Sequence, residues 1–258
     1  MESGHRATKR QRMESGQRSL FVAGGTDGIG FSFVANECQR RKYARIYVLG
    51  RNFARIDTEL MSQHAERLVK LECDITNASA LRESLAGIEH TIDDFVNTIG
   101  TFARGAVSEM QDAEITQHFG INCIGNINLI RAMLPMLTEG DAAEKSSGSG
   151  GHTGSQILVC TASLALTARS PYALQSATKA GLKFFVDALR IELSGRVRVM
   201  SVLPPSVDTG IFAKAGDMRD TASYPPASRV ADAMQFMLDL PPDVCVPELL
   251  LEQHRFTK

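Results

Sequence analysis

The feature that most restricts this chain is a glycine-rich turn set between two segments of different period. Ser19-Leu20-Phe21-Val22-Ala23 reads as a short buried strand. Gly24-Gly25-Thr26-Asp27-Gly28-Ile29-Gly30 follows, and an apolar helical pattern runs from about Ile29 to Cys38. Such a turn brings backbone close to a phosphate, and the free N–H groups and positive dipole end of the following helix face the anion. Further strands are predicted at 45–49, 68–73, 94–97, 157–160, 197–203 and 247–251, with helical patterns near 109–137, 174–194 and 228–239. Short β-rich runs alternating with helices mean right-handed βαβ crossovers. The fold class expected is α/β: one Rossmann-type, doubly wound parallel sheet of about seven strands, with helices on both faces, over residues 19–258.

Bulk properties narrow the function. The 258 residues, 43% hydrophobic, suffice for a large core, and a net charge of −1 gives no global attraction to nucleic acid or an anionic membrane. Five scattered cysteines show no metal-ligand spacing, so they read as reduced thiols of a cytoplasmic protein with no metal. No run approaches the roughly 18 apolar residues of a membrane span, and the N-terminus lacks a secretory core. Residues 1–18 read as a disordered basic tail in which Met1-Glu2-Ser3-Gly4 is repeated as Met13-Glu14-Ser15-Gly16, with Met13 a second start site. A nuclear or organellar address is the other reading of its basic cluster. Residues 139–156, with a Ser/Gly run at 146–151, have linker composition and read as a flexible surface loop.

The spacing Gly24-x-x-x-Gly28-x-Gly30 resembles the cofactor fingerprint of short-chain dehydrogenases/reductases, and the resemblance extends over about residues 19 to 253. It implies that Gly24, Thr26, Asp27, Gly28, Ile29 and Gly30 cradle the pyrophosphate of a dinucleotide. Where NAD-selective members tend to carry a carboxylate, this chain has Gly50-Arg51-Asn52. A guanidinium at Arg51 suits a 2′-phosphate, so NADP(H) is the cofactor expected. Asp74 resembles the aspartate beside the adenine, and Asn97-Thr98-Ile99-Gly100 resembles the family's Asn-Asn-Ala-Gly, placing Asn97 and Gly100 near the adenosine ribose.

The family's catalytic set is Asn, Ser, Tyr and Lys. Asn122 matches the asparagine, and Lys179 matches the lysine that holds the ribose hydroxyls and lowers the tyrosine pKa. Ser163 is the best match to the serine, but it lies one residue nearer the helix motif than is usual; a slipped alignment puts Ala162 there instead. The tyrosine is replaced by Gln175, whose carboxamide has no acidic proton. Tyr172, three residues earlier beside Pro171, is either a shifted donor or a packing residue. The family's Pro-Gly appears as Pro204-Pro205, where proline fixes φ and removes a donor. Thr209 is retained as a contact to the nicotinamide amide.

The seat for the cofactor is thus kept while the reacting end is altered. Loss of a general acid, typically worth about 10²–10⁴-fold, is least harmful for an imine or iminium, which needs no proton at the former carbonyl oxygen. The altered positions also resemble a divergent fungal group of family members in indole-alkaloid pathways, where imine reduction is coupled to a Diels–Alder cyclisation. Three functions stay open: reduction of an activated C=N or related electrophile of a specialised metabolite, a non-redox isomerase or cyclase on the same fold, and a catalytically silent NADP-binding protein. Residues 206–227 are expected to form a lid, whose Phe212, Met218 and Tyr224 imply a small apolar substrate. The resemblance implies a homodimer or tetramer.

Overall fold

The computed structural model describes residues 17–53, 58–144 and 154–254. The expectations for residues 1–16 and for 145–153 lie outside the described residues. Seven parallel strands form one sheet: β1 (Arg18–Ala23), β2 (Tyr43–Gly50), β3 (Leu68–Glu72), β4 (Asp94–Asn97), β5 (Gln156–Cys160), β6 (Arg198–Leu203) and β7 (Glu248–Leu250). Their order is β3-β2-β1-β4-β5-β6-β7, the Rossmann-type arrangement expected. Eight α-helices connect them: α1 (Gly28–Arg40), α2 (Thr58–Gln63), α3 (Ala78–Ala86), α4 (Asp112–Phe119), α5 (Asn126–Glu144), α6 (Ala173–Glu192), α7 (Ile211–Lys214) and α8 (Ala227–Asp239).

Alternation along each strand builds a core on each face of the sheet. Phe21 and Ala23 of β1 join Leu129, Met133, Leu182 and Val186 of α5 and α6. Leu20 and Val22 point the other way, to Phe33 and Val34 of α1 and Met234 of α8. Two expected boundaries move. Arg18 is not tail: it opens β1, because its guanidinium reaches the buried Asp94 at 2.8 Å. Residues 139–144 are not loop: α5 continues through Glu144, favoured by Ala142 and Ala143, both strong helix formers. The single helical pattern near 109–137 resolves into α4, a π-helical turn at Gly120–Gly125, and α5.

At the N-terminal edge of the sheet, a polar belt links five adjacent strands. Asp94 is fully buried. It accepts from Arg18 of β1, from the Tyr43 hydroxyl of β2 at 2.5 Å and from Gln156 Nε2 of β5 at 2.8 Å. The Gln156 carbonyl in turn accepts from Arg198 of β6, whose guanidinium also donates to the carbonyls of Leu240, Pro241 and Val244. Burial, reinforced by the Asp94 charge, holds the Tyr43 phenol well above its usual range and keeps it a donor. Asp94→Ala leaves Arg18 without its buried counter-ion and is expected to cost about 3–5 kcal/mol. Urea unfolding of the variant against the parent chain measures the loss.

Candidate functional site

The opposite edge of the sheet gathers the predicted site residues, as parallel α/β sheets place their ligands outside the carboxyl ends of the strands. The chain order reverses between β1 and β4, and the glycine turn stands at that switch. Gly24 has φ +79°, and a Cβ on it would lie 2.7 Å from Thr98 Oγ1. A Cβ on Gly30 would lie 2.3 Å from the Gly24 carbonyl oxygen. At these two positions the turn therefore closes only on glycine. Asp27 caps α1, its Oδ1 accepting from Gly28 N at 2.8 Å. Its other oxygen pairs with Lys214 of α7, so the segment after β6 is tied to the turn. Thr26 packs beneath Gly50, and Ile29 packs on the core beside α1.

Arg51 follows β2 and is 67% exposed, with its guanidinium 3.8 Å from Asp74. Burial raises the Asp74 carboxyl, but hydrogen bonds from Thr76 N (2.9 Å) and Oγ1 (2.7 Å), with Arg51 nearby, take it below its usual range. The Asn97 side chain is buried, donating to Asn126 Oδ1 at 2.7 Å and accepting from Ile99 N at 3.1 Å, so it braces the turn after β4. Asn126 also donates to the Ile121 carbonyl at 2.7 Å, on the π-helical turn. Within that turn Asn122 grips Thr101 at both backbone atoms (2.7 Å from its N–H, 3.1 Å to its carbonyl) and donates to Thr178 Oγ1 at 3.2 Å. A π-turn inside a longer helix is a frequent mark of a functional site, and here it stitches β4, its loop and α6 together.

Lys179 of α6 is buried and has neither a hydrogen-bond nor an ion-pair partner among the described residues. A Cβ on Gly100 would sit 2.8 Å from Lys179 Nζ and 3.3 Å from Asn122 Oδ1, so residue 100 has no room for a side chain beside the lysine. Burial lowers the Lys179 ammonium, offset in part by Cys160, whose own thiol burial raises to about 11. Gln175 is one turn earlier on α6, and its Oε1 accepts from Ala103 N at 3.3 Å. With the carbonyl end committed to backbone, the NH₂ end is the donor left for a ligand. Ser163 opens a short 3-10 turn that packs on α6, its N–H bonded to the Pro204 carbonyl at 2.9 Å. Thr209 lies against Gly28. Tyr172 is the N-cap of α6, and its hydroxyl accepts from Arg219 at 3.4 Å.

The segment after β6 departs from expectation. Met218 is 84% exposed, while Phe212 is buried against Phe102 and Tyr224. These rings pack on one another and on Arg219 rather than forming an open apolar wall. A cleft of about 280 Å³ is instead lined by Phe102, Arg104, Ala215, Gly216, Asp217 and Met218. Sequence reading missed Arg104, Lys214, Asp217 and Arg219, because no motif spacing marks them. The paired signs of Asp217 and Arg219 two residues apart were the available signal.

The family model described as short chain dehydrogenase matches residues 18–220. The chain belongs to the short-chain dehydrogenase family. A Mycobacterium tuberculosis protein named as an uncharacterized NAD-dependent oxidoreductase is 28% identical over 163 residues, covering 62% of this chain and 55% of the relative. A ketoacyl reductase of Nostoc is 30% identical over 159 residues, covering 60% and 50%. The chain thus spans about half the length of these curated relatives. Among solved structures, an alcohol dehydrogenase from Thermococcus sibiricus complexed with 5-hydroxy-NADP covers 93% of this chain and all of its own, at TM-score 0.77 and 22% identity. That likeness is one of fold. No helix among the described residues is long and apolar enough to cross a membrane.

Within this short-chain dehydrogenase site, Lys179 carries a testable cost. Its folded pKa lies below the unfolded value of 10.5, so between those two values the unfolded chain binds more protons and stability rises with pH. At neutral pH the charged lysine is a net burden. Lys179→Met is expected to raise Tm at pH 7, with the gain over the parent shrinking as pH approaches 10.5; differential scanning calorimetry across pH checks this.

Proposed function

We propose that this chain is an NADP(H)-dependent oxidoreductase acting on a C=N bond or a similarly activated electrophile of a specialised metabolite. The observation that carries the reading is the presence, one turn apart on α6, of a buried Lys179 without a hydrogen-bond or ion-pair partner among the described residues and a Gln175 whose carbonyl is already bonded to Ala103 N. The glycine cradle fits a dinucleotide: its backbone and the N-terminus of α1 would hold the pyrophosphate, with the Asp27 charge offset by Lys214. Arg51 would take the 2′-phosphate, Asp74 would lie by the adenine, and Lys179 would donate to the ribose hydroxyls. Thr209, against Gly28, would meet the nicotinamide amide. The nicotinamide, when bound, supplies the hydride.

The chain's own groups then define the acceptor. Gln175 can donate a neutral N–H bond to orient a substrate atom, but it cannot release a proton at neutral pH. A ketone leaves an alkoxide that needs an acid. An iminium becomes a neutral amine on accepting hydride, and no proton has to be delivered to it. Asn122 keeps Thr101 and Thr178 in place and so fixes the distance between the turn after β4 and Lys179.

Two measurements test the reading. NADPH oxidation is followed with matched cyclic imines and ketones: imines are expected to turn over faster, and Gln175→Tyr is expected to raise ketone turnover by about 10²-fold or more. Faster ketone turnover by the parent chain would overturn it, and product that forms equally with NADP+ would replace it with non-redox cyclase chemistry. The mycobacterial relative is named as NAD-dependent, so cofactor choice is tested separately. Arg51→Gln is expected to weaken NADP+ binding about 10–100-fold, the worth of a charged hydrogen bond, and to leave NAD+ binding unchanged in fluorescence titrations.

A further inference from the structure

We infer that the substrate carries a carboxylate, bound by Arg104 in the cleft it lines with Asp217, where Arg219 shares the same Asp217; this rests on the reading that this cleft, next to the loop that holds Gln175, is the substrate site. The guanidinium of Arg219 lies 4.5 Å from the centre of the Phe212 ring, 5.0 Å from Phe102 and 5.8 Å from Tyr172. Aromatic faces on several sides hold a planar cation in one orientation. One of its nitrogens donates to the Tyr172 hydroxyl at 3.4 Å and another pairs with Asp217. Its Nε is buried with no hydrogen-bond partner, and Tyr224 also bears on the guanidinium. These contacts fix the cation beside Asp217.

The second guanidinium faces the same carboxylate. Arg104 is 51% exposed, and its NH1 stands 3.5 Å from Asp217. The backbone on either side of Arg104 is pinned to the start of α6, by Ala103 N to Gln175 Oε1 and by Gly105 N to the Pro171 carbonyl at 3.0 Å. Arg104 is therefore presented from a fixed segment and not from a free loop. Among the described residues, Asp217 is the one carboxylate within ion-pair distance of either arginine. Two cations share one anion, and one positive charge is left over at the entrance. With Lys179 also unpaired deeper in the site, the field favours an acid and opposes a simple amine.

The geometry also limits where the acid sits on the molecule. Arg104 directly follows Ala103, whose N–H is held by Gln175, so a ligand anchored at Arg104 lies next to the segment that carries Gln175. An imine or iminium bearing a carboxylate meets both conditions. Planar carboxylates match the guanidinium fork, and the aromatic rings would cover the carbon frame.

The test uses the full chain saturated with NADP+ and three probes of one shape: phenylacetate, phenylacetamide and benzylamine. Calorimetric titration is expected to give phenylacetate binding at least 10-fold tighter than the amide, weakening with added salt, and no measurable benzylamine binding. Arg104→Gln is expected to remove most of the difference between acid and amide, and Arg219→Gln the rest. Arg104 is half-exposed, so its variant keeps the test sound if Arg219→Gln loosens the lid. Equal binding of acid and amide, preference for benzylamine, or an acid preference untouched by Arg104→Gln would each overturn the inference. The readout is binding, so it can succeed when no C=N bond is reduced and fail when one is.

Discussion

The buried carboxylate of Asp94 is the fixed point of this fold. It sits on a central strand and collects donors from the strand on one side, the next strand beyond it, and the strand on the other side. Its partner Gln156 passes the network on to Arg198. Parallel strands have no hairpins to set their register; their neighbours arrive through long crossovers. A charge that must be paired at one position on each of several strands supplies that register. With the N-terminal edge so fixed, the carboxyl edge is free to carry glycine, proline and unpaired cations without the sheet slipping.

The carboxyl edge has its own stitching, made of asparagine and not of charge. Asn97 holds Asn126, which holds the π-turn, while Asn122 grips Thr101 and Thr178. Carboxamides suit this work because each offers both a donor and an acceptor without a net charge to desolvate. The consequence is a floor at the carboxyl edge whose spacing is set by short bonds among the turn after β4, the π-turn, α5 and α6, independent of the segment after β6.

What the sequence disclosed follows from how local each signal is. The glycine turn, all seven strands and the positions of Gln175 and Lys179 are legible, since each is written within a few neighbouring residues. The partners of the Asn97 side chain were not legible, because a motif gives position along the chain and not side-chain direction. Arg18 was placed in the tail because its partner, Asp94, lies far along the chain. The helical end of α5 was hidden by the glycine and serine that follow it. Arg104 was invisible for the same reason as Asp94's belt: the carboxylate it meets, Asp217, comes from a separate crossover, whereas Arg219 had Asp217 two residues away as its one local sign. The lid's Phe212 and Met218 look alike in sequence, yet one is buried and the other points to solvent.

The bond from Ala103 N–H to the Gln175 carbonyl ties the loop after β4 to α6. It lies inside the protein, where a stranded N–H costs about 1–3 kcal/mol. A ring in place of the carboxamide would leave that backbone group bare, so an acid at position 175 comes with a looser loop. Proton supply and loop order are thus set by one side chain, and a gain in the first is drawn from the second.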